Sequence, residues 1–124
     1  MKEIIATEDA PKAVGPYSQA VRSGNILFVS GQLPLDPDTG TMPEGAADQA
    51  RQSMKNIKAI LEAAGSGMDK VLRCGIFLAN MDDFGAVNEV YASFFEGDYP
   101  ARATVEVSRL PLGALVEIDA IAEV

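Results

Sequence analysis

Two short alternating stretches hold the residue types best suited to chemistry. In Pro100-Ala101-Arg102-Ala103-Thr104-Val105-Glu106-Val107, a strand turns Arg102, Thr104 and Glu106 to one side and Ala103, Val105 and Val107 to the other. The second side is small and apolar, suited to packing under helices. Pro100 cannot donate to a ladder and fits a strand's entry, so an arginine stands at the start of a rigid element. In Val116-Glu117-Ile118-Asp119-Ala120-Ile121, the two carboxylates share one face. The two strands are expected to pair and set acid beside base; the plain alternative is a surface ion pair of small energetic weight. The chain has no histidine, which removes Ser-His-Asp and Cys-His nucleophiles and the usual His-containing zinc sites. Chemistry is left to carboxylates, arginine, tyrosine, hydroxyls, backbone groups and water.

The elements that must position these groups can be read from periodicity. Residues 2–7 form a short strand, and Asp9-Ala10-Pro11-Lys12-Ala13-Val14-Gly15-Pro16 a proline-stiffened loop. Residues 17–21 lead to the turn Ser23-Gly24-Asn25. The apolar run Ile26-Leu27-Phe28-Val29-Ser30 is a strand closed by Gly31-Gln32, whose register either points Ser30 and the Gly31 amide into a cleft or simply ends there. Asp36-Pro37-Asp38-Thr39-Gly40 lacks the remaining ligands of a calcium loop and is read as a turn. Over 46–64, Ala50, Met54, Ile57, Leu61 and Ala64 recur at helical spacing, with Gln49, Gln52, Lys55, Asn56 and Glu62 over much of the rest. Gly65-Ser66-Gly67 ends that helix. A strand over 71–79 follows, with Cys74 as a small core residue. Asp82 or Asp83 then caps a second helix whose buried stripe is Phe84, Val87, Tyr91 and Phe94 or Phe95. Asn88 falls near that stripe and needs a partner or a ligand. A turn over 108–113 precedes the last strand, 114–124.

This order predicts one domain over 1–124 with an α+β fold: a mixed sheet with two helices on one face. Two helices cover only one side of such a sheet, so the other should meet another subunit in a closed homo-oligomer. With 124 residues and 48% hydrophobic content, the chain can bury a sizeable core. A net charge of −8 argues against nucleic acid and against an anionic membrane surface. The start shows no signal-peptide pattern, no stretch has the length of a membrane span, and the single cysteine fits a reducing, cytoplasmic setting.

Across essentially its whole length the chain resembles the RidA/YjgF family, the reactive-intermediate (imine) deaminases. The marks are Ala13-Val14-Gly15-Pro16-Tyr17-Ser18-Gln19, Ser30-Gly31-Gln32, Gln49-Ala50-Arg51-Gln52-Ser53, Phe84-Gly85-Ala86-Val87-Asn88, Pro100-Ala101-Arg102 with Val105-Glu106-Val107, and Arg109-Leu110-Pro111 with Val116-Glu117-Ile118. The resemblance implies a chorismate-mutase-like fold, a homotrimer whose sheets form a barrel, and a site in each intersubunit cleft. It also implies hydrolysis of 2-imino acids, such as 2-iminobutanoate and 2-aminoacrylate through its imine tautomer, to 2-oxo acids and ammonia. These imines arise from pyridoxal-phosphate-dependent Ser/Thr dehydratases, and their hydrolysis needs no cofactor and no metal.

Residue by residue, the resemblance makes Arg102 the anchor of the substrate carboxylate and Glu117 the acid beside the attacking water. Tyr17, Ser30, Gly31 and Asn88 complete the pocket, with Tyr17 closing it from a neighbouring subunit. Thr104 stands where some members have cysteine, so its backbone amide is expected to matter more than its side chain. The segment Phe95-Glu96-Gly97-Asp98-Tyr99-Pro100 is shorter than in some relatives, which touches the cleft rim. A guanidinium fixes the plane as well as the position of a carboxylate through two parallel hydrogen bonds. One carboxyl can then take a proton from water and deliver one to nitrogen. Two other functions compete with this one. A non-catalytic small-carboxylate-binding module would use Arg102 without Glu117, and nucleic-acid processing is disfavoured by the acidic charge.

Overall fold

The computed structural model describes residues 1–124. It contains β1 (Lys2–Ile5), β2 (Ala20–Ser23), β3 (Ile26–Gln32), α1 (Ala46–Ala63), β4 (Val71–Leu78), α2 (Phe84–Ala92), β5 (Ala101–Glu106) and β6 (Val116–Glu123). Single 3-10 turns lie at Met68–Lys70, Met81–Asp83 and Pro111–Gly113. No helix is long and apolar enough to cross a membrane.

All six strands join one mixed sheet in the order β1-β2-β3-β6-β4-β5. Every neighbouring pair is antiparallel except β4 and β5, which are parallel. Parallel neighbours need a crossover rather than a hairpin, and α2 supplies it between β4 and β5. β6 lies inside the sheet, with its alternate residues Val116, Ile118, Ala120 and Ala122 apolar and buried. They are buried beside Leu78, Ile76 and Cys74 of β4 and Val29 and Leu27 of β3. Ala50, Met54, Ile57 and Leu61 of α1, and Val87, Val90 and Tyr91 of α2, close the same core from one side. The fold is thus α+β, with both helices on one face of the sheet.

Two expectations are corrected here. The strands holding Arg102 and Glu117 do not pair, because β4 lies between them. A crossover that adds β5 as the parallel neighbour of β4 leaves it at the sheet edge. The faces of β5 are also reversed. Arg102 pairs with Cys74, Thr104 with Ile76 and Glu106 with Leu78, so the polar side of β5 lies on the helix side. Ala103 and Val105 instead pair with Gly75 and Phe77, on the face no helix covers. That open face also carries exposed Phe28 and half-buried Ile121.

The polar residues of α1 differ from expectation as well. Gln49 and Asn56 are buried, because each satisfies backbone groups that would otherwise be orphaned. Asn56 Nδ2 donates to the carbonyls of Leu33 (3.1 Å) and Leu35 (2.9 Å). Gln49 Oε1 accepts from the amide of Leu115 at 2.7 Å. Asp83 stands at the N-cap of α2 but makes no side-chain cap bond; the side-chain cap is Asn80, one 3-10 turn earlier, whose Oδ1 accepts from Asp82 N at 2.9 Å. α2 ends at Ala92, leaving Phe94 and Phe95 beyond it but packed on the core.

Candidate functional site

The expected site residues fall into two groups on opposite faces of the sheet. The first surrounds Arg102, at the start of edge strand β5 and on the helix side. Its Nη1 donates to Asn88 Oδ1 of α2 at 2.7 Å. Its Cζ lies 5.0 Å from the Tyr91 ring centroid and 5.6 Å from that of Phe84. Residues 84, 88 and 91 stand at the helical spacings that put them on one face, so one stripe of α2 supplies both rings and the amide. The guanidinium is exposed and has no carboxylate within ion-pair distance, since the one salt bridge of the chain is Arg51–Asp48. It opens into a cavity of about 420 Å³ lined also by Ala92, Tyr99 and Pro100. An arginine lying over two rings, tethered by one neutral amide and otherwise free is pre-arranged for an external anion.

Thr104 lies two residues along the same side of β5. Its Oγ1 is buried without a hydrogen-bond partner. Val107 N donates to Leu78 O at 2.9 Å, and strand amides alternate in direction. The amides of Arg102 and Thr104 therefore point away from β4, out from the free edge. Tyr91, only 3% exposed, likewise has a hydroxyl without an oxygen or nitrogen partner; the Cys74 thiol stands beside it without a well-formed hydrogen bond. Burial pushes the Cys74 thiol up to about 11, so it is not a nucleophile. Burial, and then Cys74, push the Tyr91 phenol up as well.

The second group surrounds Glu117, on the open face of β6. Between Val29 and Gln32 the β3–β6 register slips, so that two residues of β3, Ser30 and Gly31, face one of β6. Such a bulge re-aims side chains beside a site. Here it brings Gly31 directly under the Glu117 carboxylate: a Cβ on Gly31 would overlap Glu117 Oε2 and stand 3.0 Å from its Cδ. Ser30 is tied to the neighbouring segment, its Oγ donating to Ser18 O at 2.6 Å and its amide to Gln19 O at 2.9 Å. Ser30 therefore ties β3 to the segment that carries Tyr17. Gln19 in turn holds the preceding loop, donating to the carbonyls of Thr7, Ala10 and Pro11. Tyr17, Ser30, Gly31 and Glu117 line one cavity of about 580 Å³ together with Leu33, Leu35 and Leu112. Asn56 is what fixes residues 33 and 35 in that wall. Burial first, and the neighbouring Asp119 carboxylate second, raise the Glu117 carboxyl above its usual range. Asp119 is itself fixed, its Oδ1 accepting from Gly75 N at 2.7 Å.

Tyr17 thus shares a cavity with Glu117 within one chain, and Arg102 is the residue set apart. Glu117 pairs with Phe77, which pairs with Val105, three residues from Arg102. Two strand spacings and three residues of rise put the two Cα atoms roughly 14 Å apart, with side chains on opposite faces. No group of three or more His, Cys, Asp or Glu side chains converges as a metal would require. Phe84, Tyr91 and Asp119 were not legible as site residues: the aromatics read as core periodicity, and only the shared face of Glu117 and Asp119 hinted at the last.

Comparison with known proteins bears on this arrangement. Residues 7–124 match the family described as Endoribonuclease L-PSP. A RutC family protein of Pyrococcus horikoshii is 55% identical over 123 residues, covering 98% of each chain. The 2-iminobutanoate/2-iminopropanoate deaminase of Escherichia coli K12 is 47% identical over 125 residues, again covering 98% of each. The structure of E. coli TdcF with bound serine superposes with a TM-score of 0.96 at 44% identity, over 98% of each chain. The chain belongs to the Endoribonuclease L-PSP family, the RidA/YjgF proteins whose motifs it carries.

Proposed function

We propose that this protein is a 2-imino acid deaminase, a cofactor-independent hydrolase of C=N bonds that yields 2-oxo acids and ammonia. The observation that carries this reading is the Arg102 guanidinium, stacked, tethered to Asn88 and free of any acidic partner. It is a ready receptor for a substrate carboxylate. The deaminase of E. coli, at 47% identity over the full chain, supports the reaction type, and serine in TdcF supports a small amino-acid-like ligand.

The working site lies between subunits of a homotrimer with the chorismate-mutase-like arrangement. The Arg102 half of one subunit meets the Glu117 half of the next. The division of these residues between opposite faces, and the uncovered apolar side of the sheet, both favour this assembly. Arg102 fixes the carboxylate of the imino acid in a plane, helped by the Gly31 amide and by the Thr104 amide that points from the free edge. The imine carbon then faces a water held by Glu117, with Tyr17 closing the cleft. Glu117 takes a proton from that water as its oxygen bonds to carbon, then gives it to nitrogen. Collapse of the carbinolamine expels ammonia and leaves the 2-oxo acid. A carboxyl raised above its usual range is a stronger base than a free one.

The test couples a threonine or serine dehydratase, which makes imine in situ, to spectroscopic detection of 2-oxo acid. Wild type should accelerate release and Arg102→Ala should not. Acceleration by neither would exclude the deaminase. One second reading has an observation behind it. Serine in TdcF is an amino acid rather than an imine, which fits a non-catalytic carboxylate-binding module. Under that reading wild type has no turnover for Glu117→Gln to abolish. The family description names an endoribonuclease, but a net charge of −8 opposes an RNA partner.

A further inference from the structure

The turn Pro111–Gly113 holds the one non-glycine residue of the chain with a left-handed backbone, Leu112 at φ 59° and ψ 20°. A bulky side chain crowds its own carbonyl there, and such positions ordinarily go to glycine, asparagine or aspartate. Glycine does take the next left-handed position, Gly113 at φ 69°. Leu112 gains nothing from the core in exchange: it is 69% exposed and lies outside the core cluster. An apolar side chain held out on a strained turn points to a use at that place.

The place is the wall of the Glu117 cavity. Val14, 84% exposed, lines the same cavity, as does Pro111. Apart from Glu117, the only charged residue of that lining is Lys12. A 2-imino acid has three substituents on its reacting carbon: the carboxylate, the imine nitrogen and the side chain inherited from its parent amino acid. With the carboxylate on Arg102 and the carbon before the water of Glu117, the side chain remains to face the cavity wall. We infer that Leu112 is a specificity-determining residue, forming with Val14 an apolar seat that selects imino acids with aliphatic side chains larger than methyl. This rests on the imine-hydrolysis reading above.

The test compares kcat/KM for 2-imino-4-methylpentanoate and 2-iminopropanoate, each made in situ by an amino acid oxidase from leucine or alanine. Wild type should prefer the larger imine. Leu112→Gly keeps the left-handed turn without strain, and Leu112→Asn keeps it with a polar side chain. Both should lower the ratio of the two kcat/KM values on the order of tenfold. A wild-type enzyme that does not prefer the larger imine overturns the inference. So does an unchanged ratio in either variant, or a smaller assembly by light scattering, which would make Leu112 a packing residue. A wild type inactive on both imines removes the deaminase reading itself, and the inference with it.

Discussion

Replacing Gly31 with alanine separates the seat of the Glu117 carboxylate from the fold that surrounds it. Gly31 is not among the residues with left-handed backbone, so alanine brings no strain of its own. What changes is space. The new methyl would overlap Glu117 Oε2 and stand 3.0 Å from Cδ and 3.3 Å from Cγ. The obstacle is the far end of a flexible side chain, so Glu117 yields by rotation and stability should change by no more than about 1 kcal/mol. Reaching ordinary contact moves the carboxylate by roughly 1 Å or more, and a misplacement of that size costs on the order of 10²-fold in rate. That corresponds to about 2.7 kcal/mol of transition-state stabilisation. The assay is the coupled release of 2-oxo acid, with Tm measured in parallel. A double-mutant cycle sharpens it: once Glu117→Ala has removed the carboxylate, adding Gly31→Ala should cost little more. A Gly31→Ala enzyme with wild-type kcat/KM would refute the reasoning. So would losses that simply add in the double variant, since Gly31 would then act on something other than Glu117.

Other outcomes follow from the same geometry. Asp119 raises the Glu117 carboxyl, and Asn in its place can still accept from Gly75 N. Because Glu117 must be ionised to take a proton, Asp119→Asn should shift the acid limb of the kcat/KM profile to lower pH; an unmoved limb would exclude the coupling. A carboxyl raised in the folded state binds its proton more tightly there than in the unfolded chain. Its contribution to stability is therefore full below the unfolded carboxyl's range and lost as pH rises through the raised value. Glu117→Gln should accordingly raise Tm at neutral and alkaline pH but not in acid. Tyr91→Phe keeps the ring under Arg102 and removes an orphaned buried hydroxyl, so it should stabilise by about 1 kcal/mol with KM retained. Tyr91→Leu removes the stacking and should raise KM on the order of tenfold; equal KM values for the two variants would exclude the clamp.

Much of this was legible in the sequence, and the failures have physical causes. Apolar periodicity over residues 50–61 located α1, and alternation over 116–121 located β6. Alternation also shows that Arg102, Thr104 and Glu106 share a side, but not which side the helices cover, because both sides of β5 hold residues that tolerate exposure. Strand order was misread because two compatible alternating strands can pair directly or through a third, and only the α2 crossover decides. Gln49 and Asn56 read as surface because their partners include backbone groups distant in sequence, at residues 33, 35 and 115. The left-handed backbone of Leu112 leaves no trace in residue type at all.

The central claim is that Arg102 of one subunit and Glu117 of another build a single site. Mixed assemblies test it directly. Arg102→Ala and Glu117→Gln should each be inactive alone. Unfolded together in equal amounts and refolded, each site draws its arginine half intact one time in two and its glutamate half intact one time in two. About a quarter of wild-type activity should then return, as symmetry of the interfaces requires. No recovery, with mixed assemblies confirmed by mass, would contradict the intersubunit site.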